Sequence, residues 1–236
     1  MPGATAIDAL STAIILQKED IVLGILRHIA TLDFKVVKGG SKIQVFEVII
    51  RHLGAMISAW DLLNGPFRHM TNDVYLRRAL YNQMIRLGDV LSCGFDARSG
   101  IPHDWVDPML CQPDDGTIVS VATAGTVILE FGRLSDITGN RTYVSLARRA
   151  EEYLLHPSHA PYPGLVGSHV SVATGQLVDQ KGSWGAFADC KIQESILTLD
   201  LKNVTCADPN QRSMNTSSRR IYTTATCTVY TSSDCC

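Results

Sequence analysis

The sequence predicts an all-α fold, and more narrowly a partial α/α barrel. Six segments repeat apolar residues at helical spacing, while no stretch alternates long enough to read as a convincing strand. Mostly apolar helices over 42–63 and 117–138 alternate with amphipathic, more charged ones over 73–91 and 141–155. An inner ring of helices covered by an outer ring produces that alternation, whereas a simple bundle does not.

Taken in order, residues 4–15 and 18–32 form the first two helices. The third, over 42–63, follows Ser41, whose capping-box partner is Gln44, and stops at Asn64-Gly65-Pro66. The fourth carries Leu76, Leu80, Met84, Leu87 and Leu91 at helical spacing. In the fifth, over 117–138, Val121, Ile128, Leu129 and Phe131 recur before Gly139-Asn140 closes it, and the sixth ends ahead of Pro157. From 160 to 184 prolines and glycines dominate, with β-type patches at 170–173 and 176–178 that suggest a hairpin. Residues 203–236 are mostly Thr, Ser, Asn and Cys without aliphatic periodicity. The chain therefore divides into a helical domain over 4–189 and a tail over 190–236 that is expected to be disordered.

The third helix is the most informative element. Stepping by four and three gives Glu47, Arg51, Gly54, Ser58 and Asp61 on one face, while Phe46, Ile49, Ile50, Leu53, Met56, Ile57, Trp60 and Leu63 cover the rest. Such a helix is buried nearly all round and opens along one polar stripe. A carboxylate there is either a structural ion pair or a working acid in a cavity. On an exposed surface a Glu47–Arg51 pair at this spacing contributes only about 0.2 to 0.5 kcal/mol.

Length and composition narrow the function classes. The chain has 236 residues, 45% apolar, with a net charge of -2, as ordinary globular proteins do. No basic field points to nucleic acid, and no apolar run reaches the roughly 20 residues of a membrane span. The first residues, Met1-Pro2-Gly3-Ala4-Thr5, lack the pattern of a signal peptide. Seven cysteines, five of them after residue 189, do not form a recognisable disulfide framework, and neither they nor the seven histidines show zinc-ligand spacing. Asn-x-Ser/Thr sequons stand at Asn140, Asn203 and Asn215.

Several separated motifs occur in order: Ile7-Asp8-Ala9-Leu10-Ser11-Thr12-Ala13, then Phe46-Glu47 with Arg51-His52-Leu53-Gly54, then Phe95-Asp96 with Ser99-Gly100-Ile101-Pro102. Ala124-Gly125-Thr126, Leu129-Glu130-Phe131, Arg133-Leu134-Ser135 and Gly164-Leu165-Val166 follow. With these motifs the chain resembles the family 47 glycoside hydrolases, the class I α-1,2-mannosidases, and most closely their secreted fungal branch. The likeness runs from about Ala6 to Asp189.

The resemblance implies the N-terminal half of an (α/α)7 barrel whose cavity takes high-mannose N-glycans, with a calcium ion at its base and inverting hydrolysis of α-1,2-linked mannose. Inversion needs one carboxyl to protonate the leaving oxygen and another to activate water, about 6.5 to 9.5 Å apart. By position in the motifs, Glu47 corresponds to the general acid and Asp189 to a catalytic aspartate. Arg51, Glu130 and Phe187 correspond to substrate-binding positions. The calcium-binding threonine and a third carboxylate belong to a C-terminal part of the family pattern that has no counterpart here. The likeness further implies a monomer in the secretory pathway or outside the cell, with membrane contact only through an N-terminal anchor.

After Asp189 the family pattern breaks. Met214-Asn215-Thr216-Ser217-Ser218 is what a coding sequence for His-Glu-Tyr-Leu-Ile-Lys yields when read one nucleotide late. Residues 190–213 are therefore expected to translate an insertion, and 214–236 an exon out of frame. A half-barrel would leave Phe46, Ile50 and Trp60 uncovered, so low stability and no mannosidase activity are expected of this chain. The alternatives are a non-catalytic glycan-binding protein and an unrelated helical scaffold.

Overall fold

A computed structural model describes residues 3–37, 42–157 and 167–180. Its helices are α1 (Ala4–Asp8), α2 (Leu10–Ile15), α3 (Glu19–Thr31), α4 (Val45–Val48), α5 (Gly54–Asn64), α6 (Val74–Ser92), α7 (Val121–Gly125), α8 (Val127–Thr138) and α9 (Arg141–Leu155). A π-helical turn, Ile49–Leu53, joins α4 to α5 without a break. Five short strands accompany them: β1 (Ile43–Gln44), β2 (Trp105–Asp107), β3 (Gln112–Pro113), β4 (Ile118–Ser120) and β5 (His169–Ser171).

The helices lie in two layers. On the inner side α2 packs on α5 and α5 on α8, while α3, α6 and α9 lean on one another and on their inner neighbours from outside. The alternation of apolar and amphipathic helices in the sequence is this layering. A continuous core runs through it, from Ile7, Leu10 and Ile14 through Leu26, Ile49 and Met56 to Leu87, Phe131 and Leu134. Where α6 meets α8 the backbones come close: a Cβ on Gly88 would lie 2.5 Å from the Leu134 side chain, so only glycine fits the present spacing. Gln83 then donates to the Ile29 and Leu32 carbonyls at the end of α3, adding to the Leu32 N–H that Ile29 already accepts.

Helix starts follow local chemistry where a side chain can cap. Asp73 accepts from the Tyr75 and Leu76 N–H groups, Ser120 from that of Thr123 and Asn140 from that of Thr142. Two sequence expectations shift. The third helix begins at Val45, because Ile43 and Gln44 pair with Val106 and Trp105 and the Val45 N–H donates to the Asp104 carbonyl. Ser41, its expected cap, lies outside the described residues. The fifth begins at Val121, because Ile118, Val119 and Ser120 pair with Ser171, Val170 and His169. Val119, Val121 and Val170 close a second, smaller core with Ile101, Ala150 and Leu154.

The expected hairpin is present in short form. After β5 the chain turns at Gly175 in a left-handed conformation, and Val170 bridges Leu177. The cysteine reading needs a larger correction, since Cys93 and Cys111 form a disulfide. It ties the end of α6 to the β2–β3 turn across 18 residues of sequence, a pairing that spacing alone did not reveal.

Candidate active site

The polar stripe of the third helix survives the π turn and meets two partners. Arg51 Nε donates to Glu47 Oε2 at 2.5 Å, and Arg51 Nη1 lies 3.7 Å from Asp8 Oδ2 at the end of α1. These three side chains are 32% to 42% exposed, a position open to solvent on one side. Burial pushes the Asp8 carboxyl upward, Arg51 pulls it down and Glu47 adds to the rise.

Further along, the stripe faces α8. Asp61 receives two hydrogen bonds from Arg133, Nε to Oδ2 at 2.9 Å and Nη2 to Oδ1 at 2.7 Å, a forked pair across 72 residues of sequence. Asp61 holds the Arg133 guanidinium charged, raising it above its ordinary value. Two turns before Asp61 and one turn before Arg133, Gly54 faces Glu130, and a Cβ on Gly54 would stand 3.1 Å from Glu130 Oε1. The missing side chain at Gly54 is the space that the Glu130 carboxyl occupies.

Glu130 is electrostatically unusual. The residue as a whole is half-buried, yet Oε2 is closed off from solvent and has no hydrogen-bond partner among the described residues. Burial raises this carboxyl from 4.5 to about 8, so it is a neutral acid at neutral pH. Arg133, its neighbour on α8, is committed to Asp61 and leaves Glu130 without that cation.

Of the residues expected at the site, Glu47, Arg51 and Glu130 stand along one α5-centred face. Asp189 and Phe187 lie outside the described residues. Asp8 was missed as a site residue although it sits in the first motif; its signal was an acid within an otherwise apolar and small-residue segment. The Asp61–Arg133 fork was missed because its partners are far apart in the chain. Among the described residues no three His, Cys, Asp or Glu side chains are grouped to hold a metal.

Layered helices with few and short strands among the described residues define an α/α architecture. Residues 1–228 match the profile of glycosyl hydrolase family 47, and the chain belongs to that family. It is 43% identical over 190 residues to the mannosyl-oligosaccharide alpha-1,2-mannosidase 1B of Aspergillus oryzae, covering 79% of this chain and 37% of that one. To the mannosyl-oligosaccharide alpha-1,2-mannosidase of Coccidioides posadasii it is 44% identical, covering 79% and 36%. The alpha-1,2-mannosidase from Trichoderma reesei superposes with a TM-score of 0.81 at 33% identity, over 93% of this chain and 44% of that structure. The chain thus spans less than half the length of these relatives.

Proposed function

We infer that this chain carries the general-acid side of an inverting α-1,2-mannosidase acting on high-mannose N-glycans. One observation carries the reading: in a family 47 fold, Glu47 is held by Arg51 beside Asp8, at the open end of a stripe whose other side is the neutral acid Glu130. Glu47 would protonate the departing glycosidic oxygen, and a second carboxylate would activate water on the opposite face of the sugar. That second role falls to Asp189 by its place in the motif. Arg51 orients Glu47, while Glu130 and Phe187 contact the sugar. Neutral Glu130 can donate a hydrogen bond to a sugar hydroxyl, which an ionised carboxylate cannot.

Calcium belongs to this reading through the family resemblance, which puts its threonine ligand in a C-terminal part that has no counterpart here, and no step here is assigned to it. A monomeric, secretory or extracellular protein is part of the same proposal, supported by the Cys93–Cys111 disulfide, which persists in oxidising compartments.

The test is a chimera joining residues 1–189 to the C-terminal part of the Aspergillus oryzae relative. Release of mannose from an α-1,2-linked mannobiose is expected from the chimera, with a loss of at least about 100-fold in the Glu47→Gln variant. A folded chimera, helical by circular dichroism, that releases no mannose would overturn the reading. The chain by itself is expected to release none.

A further inference from the structure

Asn140, Arg141 and Thr142 spell Asn-x-Thr, the acceptor signature of N-linked glycosylation. We propose that Asn140 is a glycosylated residue, whose Nδ2 takes an oligosaccharide from a polyisoprenyl-diphosphate-linked donor in the lumen of the secretory pathway. The signature is common by chance, so the argument rests on where the fold puts it.

All three residues are exposed, and the next, Tyr143, is buried in the main core. The turn between α8 and α9 therefore presents the whole triplet outward and begins to pack only beyond it. Gly139, in a left-handed conformation with φ 75°, makes the turn sharp. The turn is also firmly held: Ser135 Oγ donates to the Asn140 carbonyl at 2.7 Å, and the Asn140 N–H donates to Thr138 Oγ1 at 3.2 Å. An acceptor here is exposed on a short, fixed connection.

The side-chain chemistry is compatible with the linkage. Asn140 Oδ1 accepts from the Thr142 N–H at 3.0 Å and so caps α9. Glycosylation acts on the other atom of the amide: an Nδ2–H proton is lost to a base of the transferase, a new bond forms from Nδ2 to the sugar C1, and the C1–O bond to the lipid diphosphate breaks. No oxidation state changes, and the lipid diphosphate leaves. The product keeps Oδ1 as an acceptor and one N–H as a donor. Cap and glycan can therefore coexist, and the remaining N–H can serve the Tyr143 hydroxyl, which the Asn140 side chain already approaches.

Compartment is supported independently of the enzymatic reading. The Cys93–Cys111 disulfide belongs to an oxidising environment, and the donor is encountered in the same one. The sequons at Asn203 and Asn215 lie outside the described residues.

The experiment directs the full chain into the endoplasmic reticulum of a yeast with a cleavable leader, then maps its peptides by mass spectrometry after amidase release of N-glycans in heavy-oxygen water. Heavy-oxygen aspartate is expected at position 140 in the parent and in Thr142→Ser. It is expected to vanish in Thr142→Ala and in Asn140→Asp. Both of those variants keep the α9 cap, so their helix content should equal the parent's and a lost label cannot be ascribed to misfolding. An Asn140 peptide that remains unlabelled in the parent overturns the proposal, whether or not Asn203 or Asn215 carries the label.

Discussion

Glu130 shows how one residue's surroundings decide its chemistry. On sequence it is an acid three residues before Arg133, and an ion pair along the helix is the plain expectation. Arg133 instead forks onto Asp61, and Glu130 is left in a low-polarity slot beside Gly54. Its carboxyl ionises near 4.5 in the unfolded chain and near 8 in the folded one. Its contribution to stability is therefore complete below the lower value and declines as pH rises toward the upper one, at about 1.4 kcal/mol per unit of separation. Glu130→Gln should flatten that decline: similar to the parent near pH 4 and more stable above about pH 8 in urea titrations. A variant that unfolds in parallel with the parent at every pH would contradict the burial argument. Gly54 gives the matching steric test. Alanine is ordinarily the better helix former by about 0.5 to 1 kcal/mol. Here its Cβ would stand 3.1 Å from Glu130 Oε1 and 3.5 Å from the Ile49 carbonyl oxygen, so Gly54→Ala is expected to lose about 1 to 3 kcal/mol in the same titration.

Among the elements, the π turn, the disulfide and most of the short strands are what helical periodicity could not supply. Ile49–Leu53 inserts one wide turn between Glu47 and Gly54, in the stretch that contains Arg51. Turns of this kind re-aim the side chains that follow them and are frequent at functional sites. The stripe was legible as a list of residues because spacing by three and four tolerates one such turn, but its division into a Glu47–Arg51–Asp8 end and a Gly54–Glu130 middle was not. Likewise β1 to β4 were invisible, since two or three residues offer no alternation to read, while β5 overlaps an expected β-type patch. Cys93–Cys111 holds the β2–β3 ribbon against the end of α6, and β1, on the same sheet, runs straight into α4 and Glu47. Closing 18 residues in this way stabilises by about 3 kcal/mol in the chain-entropy account. Replacing both cysteines by serine is expected to lower the thermal midpoint by several degrees, and an unchanged midpoint would show the ribbon to be held by packing alone.

For the molecule as a whole, the notable feature is what the inner layer leaves open. Phe46, Ile50 and Trp60, expected to be uncovered in a half-barrel, are half-buried; Ile50 and Trp60 pack against the main core, and Trp60 also makes a tilted contact with Tyr81, ring centres 5.3 Å apart. Apolar side chains in that state contribute only part of their burial energy. The chain alone is therefore expected to melt over a broad range when followed by circular dichroism. A sharp transition from full helical content would show that these helices need no further partners. The sequence by itself determined the all-α class, the alternation of inner and outer helices, the family and the position of Glu47. Those follow from side-chain periodicity and from motifs that are local in the chain. Only the tertiary structure decided that Asp61 takes Arg133, that Glu130 is therefore a neutral acid, that Asp8 joins Glu47, and that Cys93 meets Cys111. Each of these depends on two segments distant in sequence being brought within hydrogen-bonding, bonding or Coulomb range, and a linear pattern carries no distance between segments.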